Sequence, residues 1–194
     1  MQQVTFHYAG FWSRFWAGLI DTMILWVVSL LFSIVGHQGR WFALAMALPQ
    51  GMFHSLYELD LHARYGQTIG KRVMGIKVLR VDGKEIGWHE AAIRSSVNLI
   101  LAALITLTSI YGLLMITNDQ YAAGTANGFW DSSSTESLAL QAQMQVIPHW
   151  FWIVFLVWEI SEVVTLLFNK QKRAVHDLMA GTIVVHVDED GIPK

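Results

Sequence analysis

Apolar positions in this chain fall into long runs separated by polar stretches, and four of the runs approach or exceed the length of a bilayer crossing. A hydrocarbon core of ~30 Å takes about 20 apolar residues of helix. The pattern therefore predicts transmembrane helices over residues 15–36, 41–59, 92–116 and 149–168. The second is the weakest. Pro49-Gln50-Gly51 interrupts it, which would either free backbone carbonyls in mid-segment for a cation path or simply kink the helix. Between the second and third runs the period changes. Ile76 and Val78 alternate with Lys77 and Leu79, and Asp82-Gly83 is a two-residue turn signal, so a β-hairpin is predicted within residues 72–88. The β-branched run Thr182-Ile183-Val184-Val185 predicts a further strand over 181–187 that would pair with the hairpin, since a lone hairpin is marginal in water.

Composition turns this pattern into a class. Of 194 residues 54% are hydrophobic and only 14% charged, where a soluble domain carries about a quarter. A net charge of −2 implies no strongly charged partner, nucleic acid included, and the absence of cysteine removes disulfides and thiolate chemistry. Of the 13 lysines and arginines, only Arg40 lies in a loop on the far side of the predicted spans, and the long loop 117–148 contains none. The positive-inside rule then gives four spans with both termini cytoplasmic. Trp12, Trp16, Trp41, Trp150 and Trp152 sit at predicted boundaries as interfacial anchors. The first run is longer than a signal-peptide core of ~7–15 residues and is expected to remain as an anchor. The outer loop reads as solvated, with an amphipathic helix predicted over 135–146.

The charges inside the apolar runs carry the candidate chemistry. Arg14 and Asp21 stand seven residues apart, on one helix face about 10 Å apart along the axis. The small residues Ala17 and Gly18 between them would let another backbone come close. Asp21 lies one-third of the way into the first run, too deep to be left unsatisfied. Glu159 and Glu162 share one side of the fourth. His54, Glu58 and His62 form a helical stripe that could hold a divalent metal, against the plainer reading of a polar helix end. Gly66-x-x-x-Gly70-Lys71 is one residue short of a phosphate-binding loop, and Arg72 replaces the hydroxyl that would hold magnesium. His176-Asp177 has no evident nucleophile beside it, so no enzymatic activity and no cofactor are expected.

Three ordered stretches then stand together: Arg14-Phe-Trp-Ala-Gly-Leu-Ile-Asp21, the segment from Gly66-Gln-Thr-Ile-Gly-Lys71 to Arg94, and Lys172-Arg-Ala-Val-His-Asp177 with Gly181-Thr182. They resemble the RDD family of membrane proteins, named for one arginine and two aspartates, with Arg14, Asp21 and Asp177 at the matching positions. The long outer loop and the two glutamates of the fourth run depart from the family's common pattern.

Most members are described only as membrane proteins, and some are associated with transport, including sodium–proton antiport. The resemblance therefore implies architecture more firmly than activity. The resulting expectation is one inner-membrane domain, all-α apart from the small β element, that transports a monovalent cation or proton as a homo-oligomer. Asp21, Glu159 and Glu162 would bind the cation or proton, and Arg14, Arg94, Asp177 and Lys71 would form a charge cluster. The rival is a non-transporting scaffold that presents the β element to a partner.

Overall fold

The computed structural model describes residues 6–125, 149–188 and 191–193. All four apolar runs are helical: α1 (Phe11–Gly36), α2 (Arg40–Tyr65), α4 (Trp88–Met115) and α6 (His149–Phe168). Of these, α1 and α4 are long and apolar enough to cross a membrane. Short helices α3 (Ile69–Val73), α5 (Asn118–Thr125) and α7 (Val175–Ala180) and strands β1 (Ile76–Arg80) and β2 (Thr182–His186) complete the described chain. The predicted helix over 135–146 lies outside the described residues. Many apolar side chains of the long helices are exposed. Trp12, Trp16, Trp41 and Trp152 are exposed, as are Met23, Leu31, Leu107 and Leu156.

The β element pairs with the C-terminal strand as predicted, and differs in the return arm of the hairpin. β1 runs antiparallel to β2, with Ile76 opposite His186 and Arg80 opposite Thr182. The Asp82-Gly83 turn does form, with Gly83 at φ 83°, but the return arm of the hairpin is a single bridge between Leu79 and Glu85. The reason is length, because Trp88 already begins α4 and leaves too little chain for a strand. The extra ladder comes from the N-terminal segment instead: Ala9 N–H donates to the Val184 carbonyl and Tyr8 bridges Val185. Both faces are covered. Ile76, Val78 and Val184 pack with Ala9, Ala17 and Ile86, and Leu79, Ile183, Val185 and Val187 pack with Phe6 and Tyr8. That double burial explains why β2 is a continuous apolar run rather than an alternation.

Two compact units emerge. The first comprises Met1–Ile24, Ser55–Val97 and Leu156–Lys194, and the second Leu25–His54 and Asn98–Phe155. In the second unit α2 continues through Pro49. Gly51 there lies so close to Thr106 of α4 that a Cβ would overlap the Thr106 hydroxyl. This is small-residue helix packing. Arg40, the isolated cation of the sequence, caps α4: its Nε donates to the Leu113 carbonyl at 2.8 Å and an Nη to that of Leu114 at 2.9 Å. A cation at a helix C-terminus meets both the orphan carbonyls and the negative end of the dipole. Arg40→Ala is expected to weaken this helix end by about 1 kcal/mol. Amide exchange at the last turn of α4 should accelerate accordingly, and unchanged protection would remove the cap from the account.

Candidate functional site: two caged aspartates and a lysine–histidine pair

The first unit gathers the charges that the sequence distributes over its length. Asp177 is fully buried at the third position of α7. Its Oδ2 accepts from the Ala174 backbone N–H at 3.0 Å, the return half of a helix-capping arrangement. The same oxygen takes Arg14 Nη1 at 2.5 Å, while Oδ1 takes Arg94 Nη1 and the Thr182 hydroxyl. Gly181, at φ 64°, ends α7 in the left-handed conformation and delivers Thr182 to this site at the start of β2. The closing His-Asp…Gly-Thr element thus reads as a helix start, an anion, a helix stop and a hydroxyl. Arg14 also donates to the carbonyls of Lys172 at 2.5 Å and Ala9 at 3.3 Å. Lys172 is held at φ 51°, which is unusual for a residue with a side chain. Burial alone would raise the Asp177 pKa, but Arg94 and Arg14 hold the carboxyl well below the usual carboxylate range.

Asp21 is caged separately. Its Oδ1 accepts from the Tyr57 hydroxyl at 2.8 Å and the Gly70 backbone N–H at 2.8 Å, and its Oδ2 from the Thr68 hydroxyl at 2.5 Å. Tyr57 in turn accepts the Ile69 N–H at 3.1 Å. Thr68 caps α3, which places two residues of the Gly-x-Thr-x-Gly-Lys element directly on the Asp21 carboxylate. Gly70 has no Cβ because one would run into the Ala17 carbonyl oxygen of α1. Of the two small residues predicted to admit a backbone, Ala17 does so, whereas Gly18 faces open space. Arg14 and Asp21 share a helix yet serve different cages.

A third group lies on α2 and α3. The Lys71 amine sits 2.7 Å from Nε2 of His62, which is buried. Burial, and then the charge of Arg94, push the Lys71 pKa down to about 8. On α6, Glu162 accepts the His176 backbone N–H at 3.1 Å and lies 2.6 Å from its Nδ1. Burial, and then Arg94, lower the His176 pKa against the pull of Asp177 and Glu162, which favours a neutral ring beside Glu162. Glu159 is exposed on α6. The stripe of His54, Glu58 and His62 does not converge. His54 is exposed, His62 turns to Lys71, and among the described residues no three His, Asp or Glu side chains come together to hold a metal.

The pattern that decides the classification extends well beyond these cages, because the sequence model of the RDD family matches residues 8–181. The chain belongs to the RDD family. It is also 31% identical over 103 residues to the uncharacterized membrane protein YteJ of Bacillus subtilis (strain 168), a match covering 48% of this chain and 63% of that relative. This RDD protein thus spans less than two thirds of the length of the relative it matches. No solved structure shows a significant match.

Within the RDD protein, the arginine and both aspartates are legible in sequence. Tyr57, the hydroxyl of Thr68, the backbone N–H of Gly70 and the pairing of His62 with Lys71 are not. Thr68 and Gly70 had a signal in the glycine-rich element, which was weighed there only against a phosphate-binding loop. Tyr57 had none, since a tyrosine about two turns from the end of α2 is ordinary.

Proposed function

We propose that this RDD protein is a multi-pass protein of the inner membrane, with four spans and both termini cytoplasmic, that moves a monovalent cation or a proton. The observation that carries the reading is the concentration of ionisable groups against α1: Asp21, Asp177, His62 and Lys71 are drawn together beside a helix long and apolar enough to cross a membrane. Ionisable groups are expensive beside lipid and mark ion or proton paths where they occur. A lock alone needs the two arginines and Asp177. The titratable remainder is what a transport reading uses. Asp21 is the cation-binding carboxylate, reached when the hydroxyls of Tyr57 and Thr68 give way. Glu159 and Glu162 are auxiliary, and the exposure of Glu159 on an apolar helix fits an assembly of several copies. The protein has no enzymatic role in this reading.

A second reading has its own support. Three donors fix Asp21 so completely that it would also serve as a latch in a non-transporting scaffold whose β element meets a partner. The experiment that separates them is cation-driven proton movement in everted vesicles from a host lacking its own antiporters. Wild type is compared with Asp21→Asn and Glu159→Gln at matched levels of folded protein. We expect flux in wild type and a fall of about tenfold or more in Asp21→Asn, equivalent to ~1.4 kcal/mol or more in the barrier. Flux no greater than the empty-vector control with sodium, potassium and lithium alike would leave the scaffold.

A further inference from the structure

The buried cations of the first unit are not all neutralised in the same way. Arg14 and Arg94 each hold Asp177. Lys71 has no carboxylate within ion-pair distance among the described residues, and its amine is bonded to an imidazole instead. Two nitrogen bases 2.7 Å apart attract only when a proton lies between them. Either the ammonium donates to a neutral Nε2, or an Nε2–H donates to a neutral amine. In the first arrangement the ring carries its hydrogen on Nδ1, and that atom is buried with no hydrogen-bond partner. The pair therefore has two forms one proton apart, and the one that carries the positive charge leaves a buried N–H without a partner.

Burial opposes the proton on Lys71 most, followed by Arg94 on α4 and, more weakly, Arg14 on α1, while Glu58 on α2 and Asp21 on α1 favour it. His62 also feels His176 and Asp177 of α7.

We propose that the Lys71 amine and the His62 imidazole together form the proton-binding site of this protein, holding a single proton between Nζ and Nε2 and releasing it to leave two neutral bases. The assignment rests on the transport reading for its use, although the site itself does not. Release removes one positive charge from beside Asp21 and Glu58. A monovalent cation arriving at those carboxylates restores it. Proton and cation then exclude one another without ever sharing a ligand, which is the minimal logic of exchange. The coupling has a path, because Lys71 belongs to α3, whose Thr68 and Gly70 grip Asp21.

The test uses the full chain in lipid nanodiscs, with isotope-labelled lysine and histidine followed by NMR across pH. One lysine should titrate at about 8, far below the ordinary lysine value near 10.4, and a histidine ring should change at the same midpoint. Both changes should be absent in Lys71→Arg, and the lysine midpoint should move in His62→Gln. All lysines titrating together at their ordinary value, or a His62 ring indifferent to the Lys71 transition, would overturn the proposal. Vesicle flux provides the second arm. Lys71→Arg keeps the charge but cannot release the proton, so coupled flux should fall about tenfold at matched folded protein. Wild-type flux and pH profile in Lys71→Arg would also overturn it. If wild type shows no flux while the shared titration is present, the transport reading fails and the proton site stands.

Discussion

Asp177→Asn is expected to destabilise the first unit by about 3–5 kcal/mol, the loss that follows removal of one partner from a buried ion pair. The side-chain volume is nearly unchanged, so packing is not the cause. The carboxylate lies between Arg14 and Arg94, and it also accepts from the Ala174 N–H and the Thr182 hydroxyl. An amide has one acceptor oxygen to offer four donors and no charge to separate two guanidinium groups. Thermal unfolding in a mild detergent would show the change, and a melting temperature equal to wild type would sink the idea that this anion organises the unit. A double variant with Arg94→Met should recover part of the loss, since the two residues share one network and their effects do not add. The pH dependence follows from the same contacts. Because Arg94 and Arg14 hold the carboxyl below its ordinary range, the stabilisation is fully present above the unfolded carboxylate pKa and is lost as pH falls through the folded one. The asparagine variant should lack that acid limb.

Gly70→Ala is expected to destabilise the same unit by about 3 kcal/mol, summing overpacking and the weakening of a hydrogen bond to a charged group. The added Cβ would meet the Ala17 carbonyl oxygen of α1, and Asp21 Oδ2 would stand only 2.9 Å from it. The obstacle is backbone, so no rotamer change relieves it. α3 must withdraw from α1, taking the Gly70 N–H with it. Gly18→Ala is the matched control on the facing helix. Nothing lies within 4 Å of its Cβ position, so alanine there should be neutral or stabilising by up to about 1 kcal/mol. Equal effects at the two glycines would refute the close-contact argument.

The long helices were legible because long apolar runs announce them, and α1, α2, α4 and α6 form over the four runs, of which α1 and α4 are long and apolar enough to cross a membrane. The cages were legible only in their charged members. Arg14 and Asp21 carry a signal in sequence because a charge in an apolar run demands a reason. Which partner each would choose did not, because that depends on residues 163 positions away in the case of Asp177. The expected face shared by Arg14 and Asp21 is real helical geometry, yet each side chain turns to a different neighbour. The long-range pairing of β1 with β2 was legible in the β-branched run 182–185, whereas the strong Asp82-Gly83 turn signal hid how little chain remains for a return arm before α4 begins at Trp88. Lys71 and His62 were each noticed, one in a charge cluster and one in a metal stripe. Their meeting follows from the Gly66 turn between α2 and α3, where φ reaches 66° and reverses the chain.

The pairing of β1 with β2, together with Asp177 between Arg14 and Arg94, fixes an order of biogenesis. During synthesis Arg14, Arg94 and β1 leave the ribosome before the anion and strand that complete them. Until α7 emerges, the earlier-made segments hold two arginines without their shared counter-ion and a strand without its ladder. A nascent chain halted after α6 is thus expected to be more open to protease than one that has completed α7 and β2, which supply the shared anion and the pairing strand.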